Sequence, residues 1–134
     1  MHELPDPADA RSPFKGKTGL LRIFHAFLNS CDGLADAWRN ESAFRQELLL
    51  AAVLIPVALL VRVLPVERAL LIASVLLVLV VELLNTGVEA AIDRISFERH
   101  LLSKRAKDIG SAAVLVTLVL LAVVWAAILL PKLG

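Results

Sequence analysis

Glu82, Asn85 and Glu89 stand in the apolar run Val80-Val81-Glu82-Leu83-Leu84-Asn85-Thr86-Gly87-Val88-Glu89. In a helix, steps of three and seven put Asn85 and Glu89 on the face of Glu82, with the two carboxylates ~10 Å apart along the axis. Asp93 continues the stripe. A carboxylate at membrane depth costs at least ~2.5–3.5 kcal/mol on insertion scales, so it is retained for a function or a good partner. Glu41 adds a further acid, and Arg22, Arg99, His100, Lys104, Arg105 and Lys107 supply basic groups nearby in a loop or a surface helix. Acids beside cations suit a divalent metal bridging to phosphate oxygens, since magnesium takes one or two carboxylates and shares the rest of its shell with phosphates and water. The same acids without phosphate suit a proton or cation relay. The residues alone leave a kinase-like enzyme and a small ion transporter both open.

These side chains must be positioned by membrane helices. The chain has 134 residues, 58% of them hydrophobic, with a mean hydropathy of +0.77. A soluble domain usually holds ~45–50% apolar residues. The apolar residues are clumped: Leu48 to Leu64 is broken only by Pro56 and Arg62, Ala69 to Val81 only by Ser74, and Ile109 to Leu130 carries no charge. A bilayer core of ~30 Å needs ~20 helical residues, which the third run supplies alone and the first two reach by including polar residues near their ends. The sequence predicts three spans, about 48–65, 68–92 and 107–130. Arg22, Arg39 and Arg45 precede the first, and Arg94, Arg99, Lys104, Arg105 and Lys107 lie between the second and third. The positive-inside rule then makes the N-terminus and second loop cytoplasmic, and the C-terminus extracytoplasmic. Glu82 to Asp93 fall at the cytoplasmic end.

Before the spans the pattern becomes amphipathic. Leu20, Ile23, Phe24, Phe27, Leu28, Cys31, Leu34 and Trp38 recur at helical spacing, opposite Arg22, His25, Asn29, Asp32 and Asp36. This predicts an interfacial helix over 20–38, with Trp38 at headgroup level. Residues 1–19 read as a flexible tail and 20–134 as one membrane domain. The single Cys31 excludes an internal disulfide framework, and the N-terminus lacks the apolar core of a signal peptide. Gly16-Lys17-Thr18 resembles the end of a P-loop, but Arg11 stands where that motif needs glycine. The histidines have no partners at zinc-ligand spacing. In the opening turns of the third span, Gly110, Ala112 and Ala113 read as small packing residues, and Ser111 lies at the depth of Glu82 and Asn85.

The stretch Glu82-Leu83-Leu84-Asn85-Thr86-Gly87-Val88-Glu89-Ala90-Ala91-Ile92-Asp93 resembles the signature of the prokaryotic integral-membrane diacylglycerol kinases. Two further stretches agree at the expected separations, Ala37 to Glu47 and Leu102 to Ala113. The likeness runs from about Leu20 to Leu130. It departs at His25, Asn29 and Cys31, where better-known members carry lysine, tyrosine and tryptophan, and at Gly87, where alanine or serine is usual.

The resemblance implies an all-α homotrimer of three-span subunits with shared active sites, in the bacterial inner membrane. It implies transfer of the ATP γ-phosphoryl group to diacylglycerol, giving phosphatidic acid. Some Gram-positive members prefer undecaprenol, and the Trp38-to-Glu47 stretch is closer to the diacylglycerol form. Glu82 matches the catalytic base, and Glu41 and Glu89 the acids that hold Mg2+. Arg22, Asn29, Glu98, Arg99, His100, Lys107 and Asp108 match nucleotide contacts, together with the two metal-binding acids. The family's lipid contacts match Arg22, Ala43, Phe44, Arg45, Gln46, Glu47, Glu82, Asn85 and Ser111 in this sequence. No nucleic-acid partner is implied.

Overall fold

Four helices follow one another in a computed structural model that describes residues 18–95 and 101–134: α1 (Gly19–Asn40), α2 (Ser42–Leu60), α3 (Pro65–Ile95) and α4 (Leu101–Leu133). They form two compact units, divided inside α1 between Asp36 and Ala37.

In the first unit α1 is amphipathic. Leu20, Ile23, Phe24, Phe27, Leu28 and Leu34 are all exposed. A face of aromatic and aliphatic side chains, backed by charged residues, is what a helix lying in a membrane interface presents.

The second unit holds the spans. α2, α3 and α4 are each long and apolar enough to cross a membrane. Their 19, 31 and 33 residues correspond to ~28, ~46 and ~50 Å at 1.5 Å per residue, against a hydrocarbon core of ~30 Å. α3 is the central element and packs on both α2 and α4. Its buried residues Leu71, Ser74, Val75, Val78, Glu82 and Asn85 recur at steps of one, three and four, forming one stripe. The stripe is largely apolar as far as Val78 and carries a carboxylate and a carboxamide beyond it. Ala51 and Ala58 of α2 are buried against its apolar part, in clusters completed by Leu121 and Ile128 of α4. Alanine there brings the helix backbones close, which is how helices associate in lipid. Trp125 packs against both clusters, and its Nε1 donates to the Leu71 carbonyl and to Ser74 Oγ, each at 3.2 Å.

The joints explain where the helices differ from the expected spans. α2 starts at Ser42 rather than near 48, because the polar Ser42–Glu47 segment stays helical at the membrane boundary. It ends at Leu60, since Pro65 begins α3 and disfavours a helical conformation at Leu64. Glu67 Oε1 accepts the Leu64 N–H at 2.9 Å, half of a capping box. Arg68 Nη1 donates to the Ala58 and Leu59 carbonyls at 2.6 and 2.8 Å, satisfying acceptors that the end of α2 leaves open. α4 extends back to Leu101, and its added polar turns carry a Lys104–Asp108 ion pair at i, i+4 spacing.

Candidate active site

α1 ends and α2 begins around Glu41, whose backbone is extended at φ −119° and ψ 107°. Arg45 fastens this joint: its Nη1 donates to the Trp38 carbonyl at 2.7 Å and to the Arg39 carbonyl at 3.2 Å. The N-cap position usually carries a side chain that accepts an N–H of the next turn. Glu41 makes no such bond. Its carboxylate instead lines a cavity of 310 Å³ with Glu47 of α2 and Glu82, Asn85 and Glu89 of α3. Ser111 completes the polar side, Ala43 adds a small side chain, and Val114, Leu115 and Leu118 of α4 form an apolar wall.

The cavity lies where α3's buried stripe turns polar. Glu82 is 4% exposed and Asn85 9%. Asn85 Nδ2 donates to Glu89 Oε1 at 3.4 Å, tying two members of the stripe together. Glu47 and Glu82 both turn toward this cavity, α2 supplying one carboxyl group and α3 the other. Glu47 Oε2 and Asn85 Oδ1 are buried with no hydrogen-bond partner among the described residues. A buried acceptor without a partner is costly, so two of them beside a cluster of acids fit a site meant to receive a ligand.

Hard oxygen donors of this kind suit magnesium. Among the described residues no three acid, histidine or cysteine side chains are close enough to enclose a metal alone. Magnesium is commonly held by one or two carboxylates and completes its shell with phosphate oxygens and water. The donor set therefore fits a metal arriving with a phosphorylated ligand.

Seven of the residues singled out in the sequence meet here: Glu41, Ala43, Glu47, Glu82, Asn85, Glu89 and Ser111. Others lie elsewhere. Phe44 is 2% exposed and part of the packing. The Arg45 guanidinium is engaged at the α1–α2 joint, and Gln46 is exposed. Lys107 Nζ pairs with Asp93 Oδ1 at 2.7 Å, linking α4 to α3. Asp108 pairs with Lys104 at 2.7 Å on a second surface of α4, formed with Leu101, Arg105, Ile109 and Ala112. Arg22 and Asn29 are exposed on α1 in the first unit. Glu98, Arg99 and His100 lie outside the described residues. The sequence reading missed the wall of Val114, Leu115 and Leu118, although these stand three, four and seven residues after Ser111.

Residues 28–129 match the family model for prokaryotic diacylglycerol kinase. The chain belongs to this family. It is 59% identical over 119 residues to the diacylglycerol kinase of Pseudomonas aeruginosa, covering 89% of this chain and 97% of that one. It is 47% identical over 112 residues to the diacylglycerol kinase of Haemophilus influenzae, covering 84% of this chain and 95% of the relative. The diacylglycerol kinase of Escherichia coli strain K12 is 45% identical over 117 residues, covering 87% and 96%. The family match spans the whole carboxylate cavity, from Glu41 to Leu118. In this prokaryotic diacylglycerol kinase family member, the acids, the carboxamide and the apolar wall all come from the three membrane helices and the joint that precedes them.

Proposed function

We propose that the protein is an ATP-dependent diacylglycerol kinase, which moves the γ-phosphoryl group of ATP to the free hydroxyl of diacylglycerol and releases ADP and phosphatidic acid. The observation that carries this reading is the cavity itself. It combines several carboxyl groups with an apolar wall in a membrane helix bundle, and so matches both ends of a reaction between a polyphosphate and a lipid alcohol. Family membership and the names of the relatives support the same activity, and favour diacylglycerol over undecaprenol as acceptor.

The lipid hydroxyl oxygen attacks the γ-phosphorus, and the bond from that phosphorus to the β–γ bridging oxygen breaks. Glu82 accepts the hydroxyl proton. Its position on α3's buried stripe puts this carboxylate next to the apolar wall, where the lipid backbone enters. Glu41 and Glu89 would hold Mg2+, which when bound offsets the negative charge of the phosphates. Arg22, Asn29, Glu98, Arg99, His100, Lys107 and Asp108 contact the nucleotide. Ala43 to Glu47, Asn85 and Ser111 face the lipid, with Phe44 and Arg45 acting through packing and through the joint they hold. Most of the acceleration comes from positioning and electrostatics, because phosphoryl transfer asks little covalent chemistry of the protein.

The kinase domain spans 20–134 behind an N-terminal tail, and the assembly is a homotrimer with shared sites in the bacterial inner membrane. The N-terminus is cytoplasmic and the C-terminus periplasmic, a reading supported by the placement of the cationic residues. Vesicles holding the protein, given radiolabelled ATP and diacylglycerol, should form labelled phosphatidic acid. An absence of labelled lipid, together with an ion flux that depends on Glu82, would instead establish the transporter alternative.

A further inference from the structure

We propose that Gly110 is a positioning residue for phosphoryl transfer: its missing side chain leaves the space in which the Asn85 carboxamide stands and holds Glu89. A Cβ added at Gly110 would collide with Asn85 Oδ1 and lie 3.2 Å from Asn85 Cγ. Around Gly19, Gly33, Gly87 and Gly134 the same atom would meet nothing within 4 Å. Gly110 is thus the described glycine whose bareness is used, and what uses it is the side chain of Asn85.

The collision falls on the far end of a side chain rather than on backbone. Outside α4's own backbone and Gly110's chain neighbours, the three atoms nearest the added Cβ all belong to the Asn85 side chain. α3 and α4 can therefore keep their packing while the carboxamide swings away. Glycine inside a helix is also disfavoured relative to alanine, since it loses more backbone freedom on folding. Its presence in α4 is unfavourable for the helix itself and needs a reason elsewhere.

That reason lies in the cavity. Asn85 is 9% exposed, its Nδ2 donates to Glu89 Oε1 at 3.4 Å, and its Oδ1 is buried with no hydrogen-bond partner among the described residues. Rotating the carboxamide would release Glu89 and withdraw Oδ1 from its place. Gly110 touches no reacting atom, and its effect passes entirely through Asn85. The inference rests on the kinase reading only for what the positioned groups then do.

The test compares Gly110→Ala, Asn85→Ala and the double variant with the parent protein in vesicles. Gly110→Ala should fold with a thermal midpoint at or above the parent's, while kcat falls about tenfold or more, the scale of one lost hydrogen bond to a charged group. In the Asn85→Ala background the added methyl meets only the Cβ of residue 85, at 4.0 Å, an ordinary contact, so Gly110→Ala should change kcat by less than about twofold. A helix-packing role would instead lower the thermal midpoint and multiply the losses, and either result would overturn the proposal. A readout independent of turnover is the Asn85 side-chain amide resonance in 15N-labelled protein, assigned by its loss in Asn85→Ala. It should move in Gly110→Ala, and an unmoved resonance also contradicts the proposal. A parent protein that makes no phosphatidic acid removes the kinase reading, while the resonance still decides whether Gly110 sets the place of Asn85.

Discussion

Glu89 and Lys107 are single side chains to which the proposed reading gives different tasks. Glu89 lies on the same α3 face as Glu82 but is only partly buried, and Asn85 donates to it. A carboxylate that is fixed in place and reachable suits a metal ligand. Glu89→Gln should move the midpoint of a magnesium titration of activity upward by about tenfold or more, on the scale seen when groups around a metal are changed. An unchanged titration would remove Glu89 from that role. Lys107 is held by Asp93 in a pair whose side chains are 42% and 52% exposed. Exposed pairs contribute little, about 0–1 kcal/mol, so under the proposed reading the ammonium would exchange Asp93 for a triphosphate at small cost. Lys107→Ala should raise the KM for ATP about tenfold, the loss of one charge-assisted hydrogen bond, and leave thermal stability nearly unchanged. A large drop in stability with normal KM would show that the Asp93 pair is structural instead.

At the scale of elements, the helix ends do as much as the spans. Arg68 supplies two hydrogen bonds to the last carbonyls of α2, and Glu67 caps α3 while lying 3.4 Å from Lys132 of α4. This clasp and the carboxylate cavity sit on different parts of α3, separated by the apolar stripe from Leu71 to Val78. Arg68→Ala should lower stability by about 1–3 kcal/mol, because two helix-end carbonyls lose a charged donor. The specific activity of the folded fraction should remain within about twofold of the parent, since independent sites combine additively. A matched loss of activity would mean that the clasp and the cavity are coupled along α3. The spans themselves were legible in the sequence, because runs such as Ile109 to Leu130 have one physical solution in a bilayer. The helix ends were less so. Hydropathy registers the hydrocarbon core, whereas α2 and α4 continue as helix through polar turns at Ser42 to Glu47 and Leu101 to Asp108. α3 begins at Pro65, three residues before the expected span, because proline's fixed φ favours the first helical turn whatever the local hydropathy.

For the whole molecule, the site joins segments distant in the chain: the joint at Glu41, the α3 stripe, and α4 from Ser111 onward. The α3 members were legible because Glu82, Asn85 and Glu89 share a helical face within one short segment. The α4 wall was not, because Val114, Leu115 and Leu118 look like any lipid-facing residues until packing sets them opposite Glu82. The Asp93–Lys107 contact likewise spans two helices, and no local periodicity announces such a pair. The large apolar surface of the single chain, with Leu49, Val53, Leu84, Leu115 and Val116 all exposed, is suited to lipid and to the subunit contacts of the proposed trimer. Mass measurement in detergent should find three copies per particle, and a monomeric particle with full activity would remove the shared-site arrangement. The most direct measurement is phosphate transfer from radiolabelled ATP to diacylglycerol by Glu82→Gln, with nucleotide binding followed in parallel. Turnover should fall by about 10²–10⁴-fold, the range contributed by a general base, while nucleotide still binds. Activity within about tenfold of the parent would contradict the assignment of Glu82 as the group that takes the lipid hydroxyl proton.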